Sequence, residues 1–532
     1  MNRAQRRGRG LALGLALTGT LIGQAIAGVP LQAPAMPAGT LPWNEVVWYE
    51  VFVRSFQDSD ADGVGDLRGV TQRLPYLADL GVGGLWLMPT YPSPSYHGYD
   101  VTDYLAVNPD YGTAEDLRTL IGEAHALGIR VILDFVPNHS SSQHPWFIAA
   151  AAGDPAYRDY YRFEADPAPI RGTRGGSAWH ATGAGTSYLG LFSERMPDLN
   201  LAYSAVTAEL QRAAYFWLEL GVDGFRVDAI QHLIEGADGQ ISNTPATYAW
   251  VGEFEAFLHE VAPHAFLVGE TWTEMPAIVR YHEESGLDMS FDYPLWKVVL
   301  AALQSRSAAD LAFTLEQEQA LYPAGAVRGT FLSNHDQTRH ATRLSLPRRD
   351  EARLKLAAGL LLTLPGTPFL YYGEEIGMPD GPGAFDVEKR TPMRWEAEAA
   401  DGTFGFSAAQ PWTDPGAALT GVSVAEQAAD PGSLLNHYRR LLALRNASPA
   451  LRSSEWRVLQ TPSRAVLAVE RLAAGGERLI VMANLGTRAV TFAQGELPEV
   501  DAVDLVGGEA VPTDAAGGVQ LPGLALYVLR VR

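Results

Sequence analysis

Four short stretches constrain this chain more than anything else in it. They are Asp134-Phe135-Val136-Pro137-Asn138-His139, Gly224-Phe225-Arg226-Val227-Asp228, Val268-Gly269-Glu270-Thr271 and Phe331-Leu332-Ser333-Asn334-His335-Asp336. Each is an apolar, β-rich run that carries a carboxylate. Acids as far apart in sequence as Asp228, Glu270 and Asp336 can meet only if the ends of their strands meet. A barrel of parallel strands does this, because the loops at the carboxyl ends of its strands share one mouth.

The rest of the pattern agrees with a barrel. Strand-like runs at 46–56, 82–88, 130–136, 224–228, 265–270, 289–293, 330–334 and 367–372 are separated by helical segments, as in an eight-stranded α/β barrel. Helical periodicity is clearest at 113–127, 205–220 and 350–363. The first two of these are followed by Gly128 and Gly221, the residue type that best ends a helix. The stretch 140–203 breaks the rhythm: it is rich in Gly, Pro and Tyr, shows little helical pattern, and is too long for a loop without a purpose. From about residue 463 the pattern changes to short strands and turns, at 465–471, 478–485, 489–492 and 524–531, which reads as an antiparallel β-sandwich. The expected organisation is a (β/α)8 TIM barrel over 42–139 and 204–445, an irregular domain inserted after strand three at 140–203, and a C-terminal β domain over 446–532.

Composition narrows the partners. The 532 residues are 47% hydrophobic and carry a net charge of -21. Nucleic acid and anionic membranes both want a basic patch, so neither is expected as a partner. A neutral polymer fits better, and 12 Trp and 21 Tyr are ample for stacking on sugars. There is no Cys, which excludes disulfides, thiolate metal sites and a Cys nucleophile. At the N-terminus, Arg3, Arg6, Arg7 and Arg9 precede the apolar run 11–22 and then Ala25-Ile26-Ala27. That is the layout of a signal peptide over 1–27, with an apolar run too short to span a bilayer comfortably. Its four Arg and no acid mean that cleavage would take the charge from -21 to -25. The expected product is secreted or periplasmic, free of the membrane and monomeric, with a disordered lead-in over 28–41.

The order and wording of the four stretches resemble glycoside hydrolase family 13, the α-amylase family, from about residue 42 to the C-terminus. In that family the insertion is domain B, one wall of the substrate cleft, and Met196-Pro197-Asp198-Leu199-Asn200 at its exit resembles a fifth motif. The wording Ser93-Pro94-Ser95-Tyr96-His97-Gly98-Tyr99-Asp100, with Met196, resembles a branch between the oligo-1,6-glucosidases and the neopullulanases that contains secreted α-amylases. The implied substrate is an α-glucan or maltooligosaccharide, and no organic cofactor is implied.

Retaining hydrolysis of a glycosidic bond uses two carboxyl groups about 5–5.5 Å apart. Neighbouring strands lie about 4.8 Å apart, so Asp228 and Glu270 at adjacent strand ends suit the pair. The resemblance implies Asp228 as nucleophile, Glu270 as acid and base, and Asp336 as the third carboxylate on the sugar hydroxyls. Arg226, two residues before Asp228, shares its face of the strand and would keep it ionised. His139 and His335 are expected to donate to sugar hydroxyls, Tyr99 to stack beneath the sugar, and His232 to line the leaving-group side. Amylases often have Lys just before that last His, where this chain has Gln231. Ala229 follows the nucleophile where α-1,6-cleaving relatives often carry Val, and the Asp-Asn-Gly-Tyr pattern of exo-acting relatives is absent at 96–99.

A metal is expected too. Asp58, Asp60, Asp62 and Asp66 fall at positions 1, 3, 5 and 9 of an EF-hand count, but position 12 is Gly69 rather than Glu, which rules that motif out. The loop resembles the calcium loop of the oligo-1,6-glucosidase-like branch, with Val64 offering its carbonyl. Asn138 matches a ligand of a second calcium between barrel and domain B. Alternatives to an endo-acting α-amylase are a 4-α-glucanotransferase, an α-glucosidase, to which Arg390-Thr391-Pro392-Met393-Arg394-Trp395 points, and a barrel that only binds glycans.

Overall fold

The computed structural model describes residues 30–345, 350–397 and 402–532; the expected signal peptide lies outside them. The first three strands are β1 (Trp48–Val51), β2 (Gly84–Leu87) and β3 (Arg130–Phe135). The insertion then supplies β4 (Phe163–Glu164), β5 (Trp179–Ala181) and β6 (Ser187–Leu189), followed by β7 (Gly224–Val227), β8 (Phe266–Gly269), β9 (Met289–Phe291), β10 (Val327–Phe331) and β11 (Thr367–Tyr371). Strands β1–β3 and β7–β11 close into a barrel of eight in the order β1-β11-β10-β9-β8-β7-β3-β2, and all its pairings are parallel. The fold class expected from sequence is the one found.

Aromatic rings fill the barrel. Trp48 packs on Phe266 and Phe369 with ring centroids 5.3 and 5.9 Å apart, and Phe291 sits 4.8 Å from Phe369 and 5.5 Å from Trp86. Gly84 makes this possible, since a Cβ there would come within 2.3 Å of the Trp48 ring. The helices behave as their caps dictate. Helix Ala114–Ala126 starts in a capping box of Thr113 and Asp116, and helix Ser204–Leu220 stops at Gly221, whose φ is 114°.

The insertion is less irregular than its sequence implied. It holds the helix Pro145–Ala151 and a small antiparallel sheet in the order β4-β6-β5 over a core of Ile170, Ala178, Leu189 and Leu191. Strands of two or three residues carry too little period-2 pattern to be read from sequence. The lead-in, expected to be disordered, has no helix or strand over 30–41. Yet the Leu31 N–H donates to the Val261 carbonyl at 2.7 Å, and Leu31 and Leu41 pack on the barrel.

The C-terminal strands are β12 (Glu455–Val458), β13 (Val466–Leu472), β14 (Arg478–Asn484), β15 (Val490–Phe492), β16 (Val519–Leu521) and β17 (Ala525–Arg530). They form a four-stranded sheet β12-β13-β14-β17 and the pair β15-β16. Alternation divides β13: Val466 and Ala468 face the β15-β16 side, while Leu467 and Val469 join the barrel core. Burial on both faces ties this domain to the barrel. Among the described residues, no helix is long and apolar enough to cross a membrane.

Candidate active site

Strands β7 and β8 are paired in register, with Val227 opposite Gly269. The next residues, Asp228 and Glu270, therefore leave the barrel side by side. The Asp228 N–H donates to the Phe135 carbonyl at 2.8 Å, and the Glu270 N–H donates to the Val227 carbonyl at 3.0 Å. Ala229 then turns the chain with φ at 49°, a left-handed conformation uncommon for any residue with a Cβ and strained for a β-branched one. The turn aims the Ala229 N–H at Glu270 Oε2, 2.8 Å away.

Arg226 is fully buried beneath this pair and joins three acids. Its Nη1 donates to Asp134 Oδ1 at 2.8 Å and to Asp228 Oδ1 at 2.7 Å, while Nη2 lies 3.1 Å from Glu270 Oε2. Asp134 Oδ2 accepts from Trp86 Nε1 at 3.2 Å and from the Tyr99 hydroxyl at 3.0 Å. Burial pushes Asp134 up to about 7 against the pull of Arg226. Glu270 is likewise pushed up to about 7, by burial first, with Arg226 opposing and the charges of Asp228 and Asp336 adding.

Asp336 has the opposite electrostatics. Strand β10 ends at Phe331, and the residues that follow bend over the mouth. Asp336 Oδ1 accepts from Arg390 at 2.9 Å, and its backbone carbonyl accepts from Lys389 at 2.8 Å. Burial works to raise its pKa, yet His335, Arg390, Arg226 and Lys389 together hold it at about 2. The same cleft thus holds one carboxyl tuned toward neutrality and another held ionised.

These acids open into a cleft of about 440 Å³ whose lining includes Asp228, Glu270, Asp336, Tyr99, His139 and His232. His139 Nδ1 faces Asn138 Nδ2 at 3.2 Å, which assigns the proton of the neutral ring to Nε2; that atom is buried without a partner, ready for a ligand oxygen. Burial lowers the pKa of His139 and keeps the ring neutral. His232 donates from Nδ1 to the Ile241 carbonyl at 2.7 Å and accepts at Nε2 from Gln231 at 3.2 Å, so the departure at Gln231 acts by fixing this ring.

His335, expected to donate to a sugar hydroxyl, lies with Arg226 beneath the cleft floor, and neither is exposed. Both nitrogens of His335 are occupied, Nδ1 by Glu50 Oε1 at 2.6 Å and Nε2 by the Tyr99 hydroxyl at 2.7 Å. Its ring also stacks against that of Tyr99, with centroids 5.4 Å apart. His335 thus fixes Tyr99 and lies 3.4 Å from Asp336, an indirect role. Glu50 escaped the sequence reading, although an acid within Val47-Trp48-Tyr49-Glu50-Val51 was a signal, since a buried carboxylate needs a partner. Also unread were Arg174 and Phe192 from the insertion and Trp272 beyond Glu270, all on the cleft wall, where Met196 of the fifth motif joins them. Trp272 is 41% exposed and stacks on Tyr293 with centroids 5.1 Å apart.

The catalytic-domain model of the α-amylase family matches residues 50–454. The chain belongs to glycoside hydrolase family 13. It is 37% identical over 456 residues to Alpha-amylase 3 of Dictyoglomus thermophilum, covering 85% of this chain and 87% of that one. To an alpha-glucosidase of Culex pipiens it is 32% identical, covering 83% and 81%. The crystal structure of the alpha-amylase from H. orenii superposes with a TM-score of 0.80 at 34% identity, covering 92% of this chain and all of that one. The family's chemistry on glucans needs no organic cofactor.

Within this family member, the expected metal loop gathers three of its acids. One carboxylate oxygen each from Asp58, Asp60 and Asp66 lies within 4.8 Å of the others. Asp62 stands apart and accepts the Val64 N–H at 2.7 Å. Asp58 is held by N–H groups of Asp60, Ala61 and Gly63 and by Ser407 Oγ at 2.5 Å, while Asp66 caps the helix Leu67–Leu80. Desolvation and then the charges of Asp62, Asp66 and Asp58 raise the pKa of Asp60, and the convergence of three carboxylates fits a cation. The all-oxygen donor set suits a hard one. Asn138 lies elsewhere, at the junction of barrel and insertion. Its Nδ2 is 3.3 Å from Asp198 Oδ1, and its own Oδ1 is buried without a partner.

Proposed function

We propose that this protein is an exported α-amylase that cuts internal α-1,4 bonds of starch-like glucans with retention of configuration. The observation that carries this reading is the pair Asp228 and Glu270, side by side at strand ends and joined through Arg226. Glu270, held near neutrality, protonates the leaving oxygen while Asp228 attacks the anomeric carbon. Water, activated by the same Glu270, then releases the sugar. Asp336, ionised, binds sugar hydroxyls and favours the positive charge that develops on the ring. Tyr99 offers its face to the pyranose, and His139 donates from its free Nε2.

The absence of the blocking pattern at 96–99 and the amylases among the relatives support internal cutting. On soluble starch, viscosity and iodine staining are expected to fall quickly while little reducing sugar appears, and isomaltose is expected to be a poor substrate. Ala229, beside Asp228 in the cleft wall, leaves room for the path of an α-1,4-linked leaving group. Glucose released steadily with viscosity barely changed would transfer the assignment to an α-glucosidase. That second reading is favoured by the Arg390 motif, whose Arg pairs with Asp336, and by the mosquito relative. Longer oligosaccharides growing as the main products from maltotriose would instead mark a 4-α-glucanotransferase.

Calcium at the 58–66 loop belongs to the same proposal. Held by Asp58, Asp60 and Asp66, it would join the end of the first strand to the cap of the next helix and to Ser407. An ion that binds only the folded state stabilises it by mass action. Thermal unfolding is therefore expected at lower temperature in chelator and to recover with added calcium. An unchanged midpoint would leave the loop held by its own hydrogen bonds. The basic and apolar start of the sequence supports export, and the surface charge supports a soluble protein acting on a neutral glucan.

A further inference from the structure

A second cluster of potential ligands lies at the opposite end of the barrel from the cleft. Helix Pro245–Val261 presents Glu255 and His259, four residues apart and so on one face. Asp288 immediately precedes β9, and the three meet where β8 and β9 begin. His259 Nε2 lies 3.1 Å from Asp288 Oδ2 and 3.8 Å from Glu255 Oε1, and one donor atom of each residue is within 4.8 Å of the other two. Glu255 is only 4% exposed. Its Oε1 accepts the Asp288 N–H at 3.1 Å, but its other oxygen, Oε2, is buried with no partner. A buried carboxylate this close to a second one is costly unless a proton or a cation joins them.

We propose that Glu255, His259 and Asp288 form a binding site for a divalent metal of the zinc class. The donor set is one imidazole and two carboxylates, three protein ligands that leave a fourth position for water. Calcium would want 6–8 oxygens, which this cluster does not supply. Donors about 2.0–2.1 Å from a tetrahedral ion lie about 3.3 Å from each other, and the two measured separations bracket that value. The surroundings fit as well. The backbone of Ala265 neighbours the His259 ring, a position from which it can orient a metal-binding imidazole. Asp288 Oδ2 accepts the Leu267 N–H at 3.1 Å, which fixes that carboxylate. The His259 side chain is 41% exposed, so an ion has a way in. An ion here would pin one helix to the starts of two barrel strands, one of which carries Glu270 at its far end.

The competing occupant is a proton shared between Glu255 and Asp288, with a charged His259 on Asp288. Full-length protein stripped with chelator separates the two when titrated with Zn²⁺, or with Co²⁺ as a spectroscopic probe. Wild type and Asp60→Asn, which alters the acidic loop, are expected to bind Zn²⁺ alike, to show the visible Co²⁺ bands of a low-coordinate site, and to unfold at higher temperature with Zn²⁺. His259→Gln is expected to weaken Zn²⁺ binding by about tenfold or more and to lose the Co²⁺ bands and the thermal shift. Its hydrolytic activity should be unchanged, because His259 lies far from the cleft. Glu255→Gln should show the same loss of metal with the imidazole intact. Unchanged Zn²⁺ affinity in His259→Gln, or no Zn²⁺ bound by wild type, would overturn the proposal in favour of the shared proton.

Discussion

Asp228→Asn and Glu270→Gln are each expected to lose nearly all turnover on α-1,4 glucan while folding as wild type does. Removing general acid help costs about 10²–10⁴ in rate, and removing the nucleophile should cost no less. Both substitutions keep size and shape, so the Ala229 N–H retains an oxygen acceptor at 270 and Arg226 retains one at 228. The two variants should differ on a glucoside with an activated aryl leaving group, which departs without a proton. There Glu270→Gln should still form the glycosyl-enzyme, whereas Asp228→Asn should not. If either variant kept more than about a tenth of the wild-type turnover, a loss far below the usual range, its assigned role would be wrong.

Arg226→Met is expected to cost about 3–5 kcal/mol of stability at neutral pH, the usual penalty for leaving buried charges without their partner. The guanidinium serves Asp134, Asp228 and Glu270 at 2.7–3.1 Å from two nitrogens, so Arg226→Lys, with one ammonium, should recover little. The pH dependence has a definite sign. Asp134 already stands at about 7 with Arg226 in place, against about 3.9 in an unfolded chain. Without the cation it rises further, so the folded state binds more protons than the unfolded one above pH 4. Stability then falls as pH rises through that window. Wild type falls in the same way up to about pH 6, because Asp134 is protonated in both, so the deficit of the variant should be level below that and grow toward pH 8. Thermal unfolding across pH checks this, and an equal deficit at both ends would show that Arg226 is not the charge partner described.

What could be read from the sequence was whatever a local pattern carries. The strand-end motifs gave the barrel and the positions of Asp228, Glu270 and Asp336, because an apolar run and the acid that closes it lie within a few residues. Strand limits were less legible: the seventh, expected at 330–334, is Val327–Phe331, since pairing with β11 stops at Phe331 and the rest of the motif belongs to the mouth. Partners remote in sequence were not legible at all. Nothing near His335 points to Glu50, 285 residues away, and nothing near Asp58 points to Ser407. Burial is equally non-local, which is why His335 read as a sugar contact although it lies under the floor. Arg390 stood out only as part of a family motif; its pairing with Asp336 needed the fold.

If Asp228 and Glu270 act together in a double displacement, the configuration of the first product must show it. Proton NMR during the first minutes on maltopentaose or soluble starch, before mutarotation, distinguishes the two stereochemical outcomes. Two inversions at the anomeric carbon return the α-anomer, which is expected to appear first, with the β-anomer growing only at the rate of mutarotation. A β-anomer formed first would mean one direct attack by water, and the assignment of Asp228 as nucleophile would fall with it.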